Sequence, residues 1–320
     1  YLQGDEPKLS AYQLRKLAVV PSAGGEPKIL TAALDRAVSG PIWWSADGTS
    51  LYFTVSDDRS SYVGRTTSAG GSVERLTGAR RTVSGISLGT DGNLTMLSGT
   101  SAETPEVHVL EAPPLRRLTK VNDELFAGLQ LGATEEVSST SKDGTVVNSL
   151  MVKPASYTAG RKYPMLLIIH GGPNGQDQHS FSFDRQFFAA NGYVVLSVNY
   201  RGSDGRGSAF QKAIFADWGN KEVVDLLGAV DEAVRMGVAD PDRLGIGGWS
   251  YGGILTDYTI ATDTRFKAAV SGAGSALQLS MYGHDQYIAQ YEMEIGPPWK
   301  ARDAWVKISD PFFQADRSKS

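Results

Sequence analysis

The 320 residues carry 31 Lys and Arg against 35 Asp and Glu, a formal net charge of −4, with 41% hydrophobic residues. That is an ordinary globular composition, and without a basic block to gather phosphates no nucleic-acid partner is expected. Cysteine is absent, which excludes disulfides, thiolate metal sites and a cysteine nucleophile, and no apolar run approaches the ~20 residues needed to cross a bilayer.

The first 135 residues read as short β-type runs broken by Gly, Asp and Ser. Ser22-Ala23-Gly24-Gly25 returns 46 residues later as Ser68-Ala69-Gly70-Gly71. Leu30-Thr31 returns as Leu76-Thr77 at the same spacing, and again as Leu118-Thr119 after 42. Asp47-Gly48 and Asp91-Gly92, 44 apart, suit tight hairpins because both residues tolerate positive φ. A period in the low forties predicts β-propeller blades, about three of them; the alternative is an irregular β-sandwich with chance turn similarity. Propellers close with roughly four to eight blades, so further blades are expected upstream of Tyr1.

From residue 136 the pattern changes to an α/β one. Asp143-Gly144 predicts a hairpin. Met165 to Ile169, Tyr193 to Val198, Leu244 to Gly248 and Phe266 to Val270 are continuous apolar runs, and Glu222 to Met236 between the second and third has helical periodicity. Apolar strands alternating with helices predict a mostly parallel sheet covered on both faces, an α/β-hydrolase class of fold.

The chemistry concentrates at Gly248-Trp249-Ser250-Tyr251-Gly252-Gly253, between the third of these strands and a predicted helix. This is the pattern of a nucleophile elbow, a turn that lifts a serine hydroxyl above the carboxyl edge of the sheet. Ser250 is the candidate nucleophile. His170-Gly171-Gly172-Pro173 ends the Met165 strand, and Gly171, Gly172 and the Tyr251 amide are candidate oxyanion donors. His170 precedes the nucleophile in the chain and is expected to hydrogen-bond structurally rather than act as base. Arg201, in Asn199-Tyr200-Arg201-Gly202-Ser203, either binds a substrate carbonyl or holds loops by ion pairing. Tyr282, Tyr287 and Tyr291 line a specificity pocket or pack in the core. Glu292 and Glu294 are acidic groups that either meet a substrate amine or form a solvated helix face.

Gly-Trp-Ser-Tyr-Gly-Gly, His-Gly-Gly-Pro, Asn-Tyr-Arg-Gly-Ser and Asp217-Trp218-Gly219 together resemble the prolyl oligopeptidase family, nearest its bacterial dipeptidyl and acylaminoacyl peptidases. The resemblance is close over residues 142–320 and looser, as the family's propeller, before them. It implies short peptide substrates cleaved between propeller and hydrolase domains, an acyl-enzyme on Ser250, backbone oxyanion donors and no cofactor. Bacterial periplasm and cytoplasm both stay open, as does association with further copies of the chain.

A serine nucleophile needs a base and an acid to orient it, and in this fold they follow it in the order Ser, Asp or Glu, His. The only histidine after Ser250 is His284, too early to follow a last strand. The expectation is therefore an internal piece of a longer peptidase, inactive alone and completed by a remaining C-terminal segment. An esterase or lipase of the same fold, or a non-catalytic binding module, are the competing readings.

Overall fold

The structure, a computed structural model, describes residues 1–4, 7–9, 11–111 and 115–319. Three antiparallel sheets come first. β1 (Leu2–Gln3), β2 (Lys16–Val19) and β3 (Lys28–Ile29) form a three-stranded sheet. β4 (Val38–Trp44), β5 (Ser50–Asp57), β6 (Ser60–Thr67) and β7 (Glu74–Arg75) form a four-stranded meander, and β8 (Thr82–Leu88), β9 (Leu94–Thr100), β10 (Glu103–Leu110) and β11 (Arg116–Arg117) form another.

The Leu-Thr repeat has a single physical cause. The Leu30, Leu76 and Leu118 amides donate to the carbonyls of Leu17, Val63 and Val107 at 2.8, 2.9 and 2.7 Å. In return the Thr31, Thr77 and Thr119 hydroxyls accept from the amides of those same residues at 3.0, 3.1 and 2.9 Å. Each pair closes a sheet whose outer strand is only two residues long. Neighbouring sheets pack through small cores, Leu17, Val38, Phe53 and Val55 in one, Val63, Val83, Ile86 and Met96 in the next. The Trp43 indole bridges two of the sheets by donating to the Ile86 carbonyl at 2.8 Å.

After α1 (Asp123–Ala127) a six-stranded mixed sheet begins with the hairpin β12 (Thr134–Thr140) and β13 (Val146–Val152), turned at Gly144 with φ 87°. The boundary expected after residue 135 thus falls just inside β12. β14 (Tyr163–Ile169), α2 (Phe183–Ala190), β15 (Val194–Asn199), α3 (Ser208–Lys212), α4 (Lys221–Arg235), β16 (Ala239–Trp249), α5 (Tyr251–Thr262) and β17 (Phe266–Gly272) follow. The order is β12-β13-β15-β14-β16-β17, with β15, β14, β16 and β17 parallel. Chain order reverses at β14, flanked by β15 and β16, and the carboxyl ends of strands at such a reversal leave a crevice. Short helices α6 (Gln278–Met281), α7 (Ile288–Glu294), α8 (Arg302–Lys307) and α9 (Asp310–Phe313) close the described chain. One large core, including Leu167, Leu196, Leu226, Ile246 and Leu255, draws on all six strands, and a small second cluster of Val152, Ala189 and Val195 lies under α2. Among the described residues no helix is long and apolar enough to cross a membrane.

Candidate active site

β16 runs straight into α5 with Ser250 as the joint, at φ 57° and ψ −123°. A non-glycine residue in that region is strained, and the surrounding glycines show what enforces it. A Cβ on Gly248 would lie 2.5 Å from the Gly252 carbonyl oxygen, and one on Gly252 would lie 2.1 Å from that of Ile169. The turn closes only with bare backbone at both positions. The Ser250 amide donates to the Gly272 carbonyl at 2.8 Å, its own carbonyl starts α5, and the residue is solvent-exposed.

Strand register brings the second glycine loop alongside. Ile169 pairs with Gly248, so His170-Gly171 leaves β14 next to Trp249-Ser250 leaving β16. A Cβ on Gly171 would stand 3.3 Å from the Ser250 Cβ and 3.8 Å from its Oγ. Gly172 has φ 135° and its missing Cβ would meet the amide nitrogens of Asn174 and Gly175 at 2.4 and 2.5 Å, so this loop also requires glycine. Tyr251 is the first residue of α5, where the amide has no acceptor within its own helix. The backbone of Gly171 and the first amide of α5 thus both lie beside the Ser250 side chain.

The His170 Nδ1 lies 2.8 Å from the Gly171 carbonyl and Nε2 lies 2.9 Å from Ser203 Oγ, a pattern in which Nδ1 donates and Nε2 accepts. Burial lowers its pKa. His179 bonds Glu136 at 2.8 Å, His108 faces the Glu106 carbonyl within its own sheet, and His284 is exposed in the turn before α7. Among the described residues none of these four lines the cleft at Ser250.

That cleft is walled by Pro173, Trp218, Ile254, Met281, Tyr287 and Tyr291, with Gly172, Tyr251 and Asp285 also contributing. Tyr287 and Tyr291 therefore reach Ser250's cleft, while Tyr282 does not. Its ring packs edge-on to Trp299 and Trp305, 5.9 and 5.5 Å away, and its hydroxyl donates to Glu292. Arg201 is likewise absent from the cleft and 6% exposed. Its guanidinium grips both oxygens of Asp225, at 3.0 and 2.7 Å, and pairs with Asp143. Of the two roles expected for Arg201, ion pairing is the one its geometry serves.

Residues 179–318 match the model of the prolyl oligopeptidase family. That stretch belongs to this family. The chain is 31% identical to dipeptidyl aminopeptidase BIII of Pseudoxanthomonas mexicana over 246 residues, 72% of this chain and 35% of that protein. With dipeptidyl-peptidase 5 of Porphyromonas gingivalis the identity is 28% over 310 residues, 95% of this chain and 43% of the other. The solved structure of an acylaminoacyl peptidase in complex with Z-Gly-Gly-Phe-chloromethyl ketone superposes with a TM-score of 0.88 at 26% identity, covering 100% of this chain and 50% of that one. The chain spans less than half the length of the curated relatives it matches.

Two carboxylates are buried behind the cleft of this prolyl oligopeptidase family member, and one of them, Glu222, escaped the sequence reading. Glu222, on α4, is fully buried; it accepts from the Tyr251 hydroxyl at 2.7 Å and the Gly219 amide at 3.2 Å. Burial pushes its pKa from 4.5 up to about 7, against the lowering effect of the Tyr251 bond. Glu294, on α7, is not on a solvated face either. It accepts from the Tyr12 hydroxyl at 2.8 Å, the Trp218 indole at 2.6 Å and the Ala216 amide at 3.0 Å, and burial raises its pKa. Tyr12, from the N-terminal sheets' segment, is thereby built into the α/β core. Glu292, by contrast, is exposed.

Proposed function

We propose that Ser250 is the nucleophile of a serine peptidase acting on short peptides through an acyl-enzyme. The carrying observation is an exposed serine at φ 57° between β16 and α5, with Gly171 packed against it. In the acylation step Ser250 Oγ bonds the scissile carbonyl carbon as a base takes its proton. The oxyanion is met by the amides of Tyr251 and the Gly171-Gly172 loop, then the C–N bond breaks and the amine leaves with the proton. Water reverses these events to release the acid. Tyr287 and Tyr291 offer an aromatic wall to the substrate side chain, a role not assigned to Tyr282 or Arg201.

The base and its acid are assigned to polypeptide beyond these 320 residues, because every histidine described is engaged elsewhere or remote. β17 supports this assignment. It is an edge strand whose Val270 is 71% exposed beside an equally exposed Trp249, and an apolar edge of this kind invites further strand pairing. The stacked antiparallel sheets are read as propeller blades. Their loops meet the carboxyl end of the parallel strands, where the Arg59 carbonyl accepts from the His179 amide at 2.8 Å and Asp35 accepts from the Ser208 amide at 2.9 Å. A propeller there would restrict the cleft to short chains, which favours peptides over the bulky esters of a lipase.

The test compares aminoacyl-arylamide with short acyl-ester hydrolysis by the complete polypeptide and by the 320-residue chain. The complete polypeptide should cleave the arylamide, and Ser250→Ala should reduce turnover by on the order of 10⁶. The shorter chain should be inactive. Robust arylamide hydrolysis by the shorter chain would overturn the outside base, and full activity in Ser250→Ala would overturn the nucleophile.

A further inference from the structure

The two arms beside Ser250 are held from one turn of one helix. Glu222 and Asp225 lie three residues apart on α4, and both are fully buried. Glu222 accepts from the hydroxyl of Tyr251, the residue that begins α5. Asp225 accepts from both the amide and the guanidinium of Arg201, at 2.8 and 3.0 Å to the same oxygen. Next to Arg201, Tyr200 stacks its ring on His170 at 4.5 Å and 15° and donates its hydroxyl to the His170 carbonyl at 2.8 Å. The Tyr200 ring also faces that of Tyr251, 6.4 Å away at 25°, and Trp218 closes the far side of Tyr251 at 5.9 Å. One carboxylate thus ends at the elbow; the other ends at Arg201 and at the Ser141 hydroxyl, 2.6 Å away, and reaches the glycine loop through Tyr200, the neighbour of Arg201.

We infer that Glu222 and Asp225 are positioning residues that set the spacing between the Tyr251 amide and the Gly171-Gly172 loop. The inference rests on the reading of those backbone groups as oxyanion donors. A charged or polar group fully removed from water is costly unless its partners are fixed; here two such groups lie within one turn on the buried side of α4, one holding the residue that begins α5 and the other holding Arg201, whose neighbour Tyr200 holds the His170 carbonyl. An oxyanion hole works only if its donors already stand where charge will develop, and a displacement near 1 Å is enough to lose most of the effect. Neither carboxylate touches the substrate. Their contribution is to the distance across the site, and it should appear in kcat rather than KM.

The experiment uses arylamide turnover and thermal melting of the complete polypeptide. Tyr251→Phe and Tyr200→Phe each remove one hydroxyl and leave the ring stack in place, so folding is kept. Each should lower kcat roughly tenfold with KM changed by less than about twofold. Glu222→Ala should match Tyr251→Phe, while Glu222→Gln, whose amide oxygen still accepts, should remain within about threefold of wild type. Glu232→Ala, on the outward face of α4 where Glu232 pairs with Arg235, should leave kcat unchanged. If both phenylalanine variants keep wild-type kcat while Ser250→Ala is inactive, the inference fails and the nucleophile stands. A fall in kcat that Glu222→Gln shares in full would also overturn it. Turnover surviving in Ser250→Ala would instead remove the reading beneath it.

Discussion

The antiparallel sheets before residue 120 and the α/β sheet after residue 133 solve the same problem at different ranges. In the first region each sheet is closed by a threonine and a leucine bonding a strand 11 to 14 residues back, over cores of a few side chains. The solution is local, so it can be repeated. In the second region one core serves six strands, and polar groups such as Glu222, Asp225 and Glu294 are sealed within it. A lesion in the first region should cost one bond or one turn. In the second it should be transmitted to the strand ends that carry Ser250.

Gly252→Ala is the strongest way to break this contrast. Its methyl would stand 2.1 Å from the Ile169 carbonyl oxygen and 3.0 Å from that of His170, both backbone atoms that cannot turn aside. The expected cost is about 3 kcal/mol or more, read as a lower urea midpoint, together with loss of turnover in the complete polypeptide. A stable, active variant would mean that the elbow is far softer than its packing implies.

Glu222→Gln sharpens the contrast through pH. Because the folded-state pKa of Glu222 is raised from 4.5 to about 7, its favourable contribution is fully present below the unfolded value and fades as pH climbs through 7. Wild type should therefore lose about 3 kcal/mol relative to the Gln variant between pH 4.5 and pH 8. Urea unfolding of both proteins across that range measures the difference, and parallel pH profiles would contradict it.

The legible parts of this molecule were those where backbone shape dictates residue type. Gly248, Gly252 and the glycines after His170 announce close backbone approach, and the Leu-Thr spacing marks a bond pair that recurs. What stayed ambiguous were long side chains with two chemically sensible destinations. Arg201 turns inward because Asp225 and Asp143 wait there, and Tyr282 turns to Trp299 and Trp305 because the α6–α8 excursion folds back on itself. Glu222 was hidden among the charges of α4, although a signal existed. It lies four residues before Leu226 and in phase with Ala229 and Ala233, the buried face of that helix. A carboxylate in phase with an apolar stripe points inward. The partner it meets, Tyr251, comes from a distant strand end that no local pattern specifies.

In the repeated region the effects should shrink to single bonds. Thr77→Val keeps the shape of a buried side chain but leaves the Val63 amide without the acceptor it has at 3.1 Å. The loss should be about 1–2 kcal/mol. Combined with Thr119→Val, which strips the Val107 amide in the next sheet and also removes a donor to the buried Glu106 carboxylate, the two losses should add within about 0.5 kcal/mol, the second being the larger. Strong coupling between them would show that the sheets are not independent closures.

Gly48→Ala should be the mildest, and it isolates conformation from crowding. Gly48 turns the β4–β5 hairpin at φ 69° with no atom within 4 Å of its missing Cβ, so an added methyl meets only the left-handed backbone penalty of about 1 kcal/mol. Asparagine tolerates that region, and Gly48→Asn should recover much of the loss. At Gly252 the obstacle is the Ile169 carbonyl itself, so Gly252→Asn should be no better than Gly252→Ala. Equal rescue at both sites would mean that the elbow glycine serves only to turn the chain. Rescue at position 48 alone would separate a glycine chosen for its dihedral angle from one chosen for its lack of a side chain.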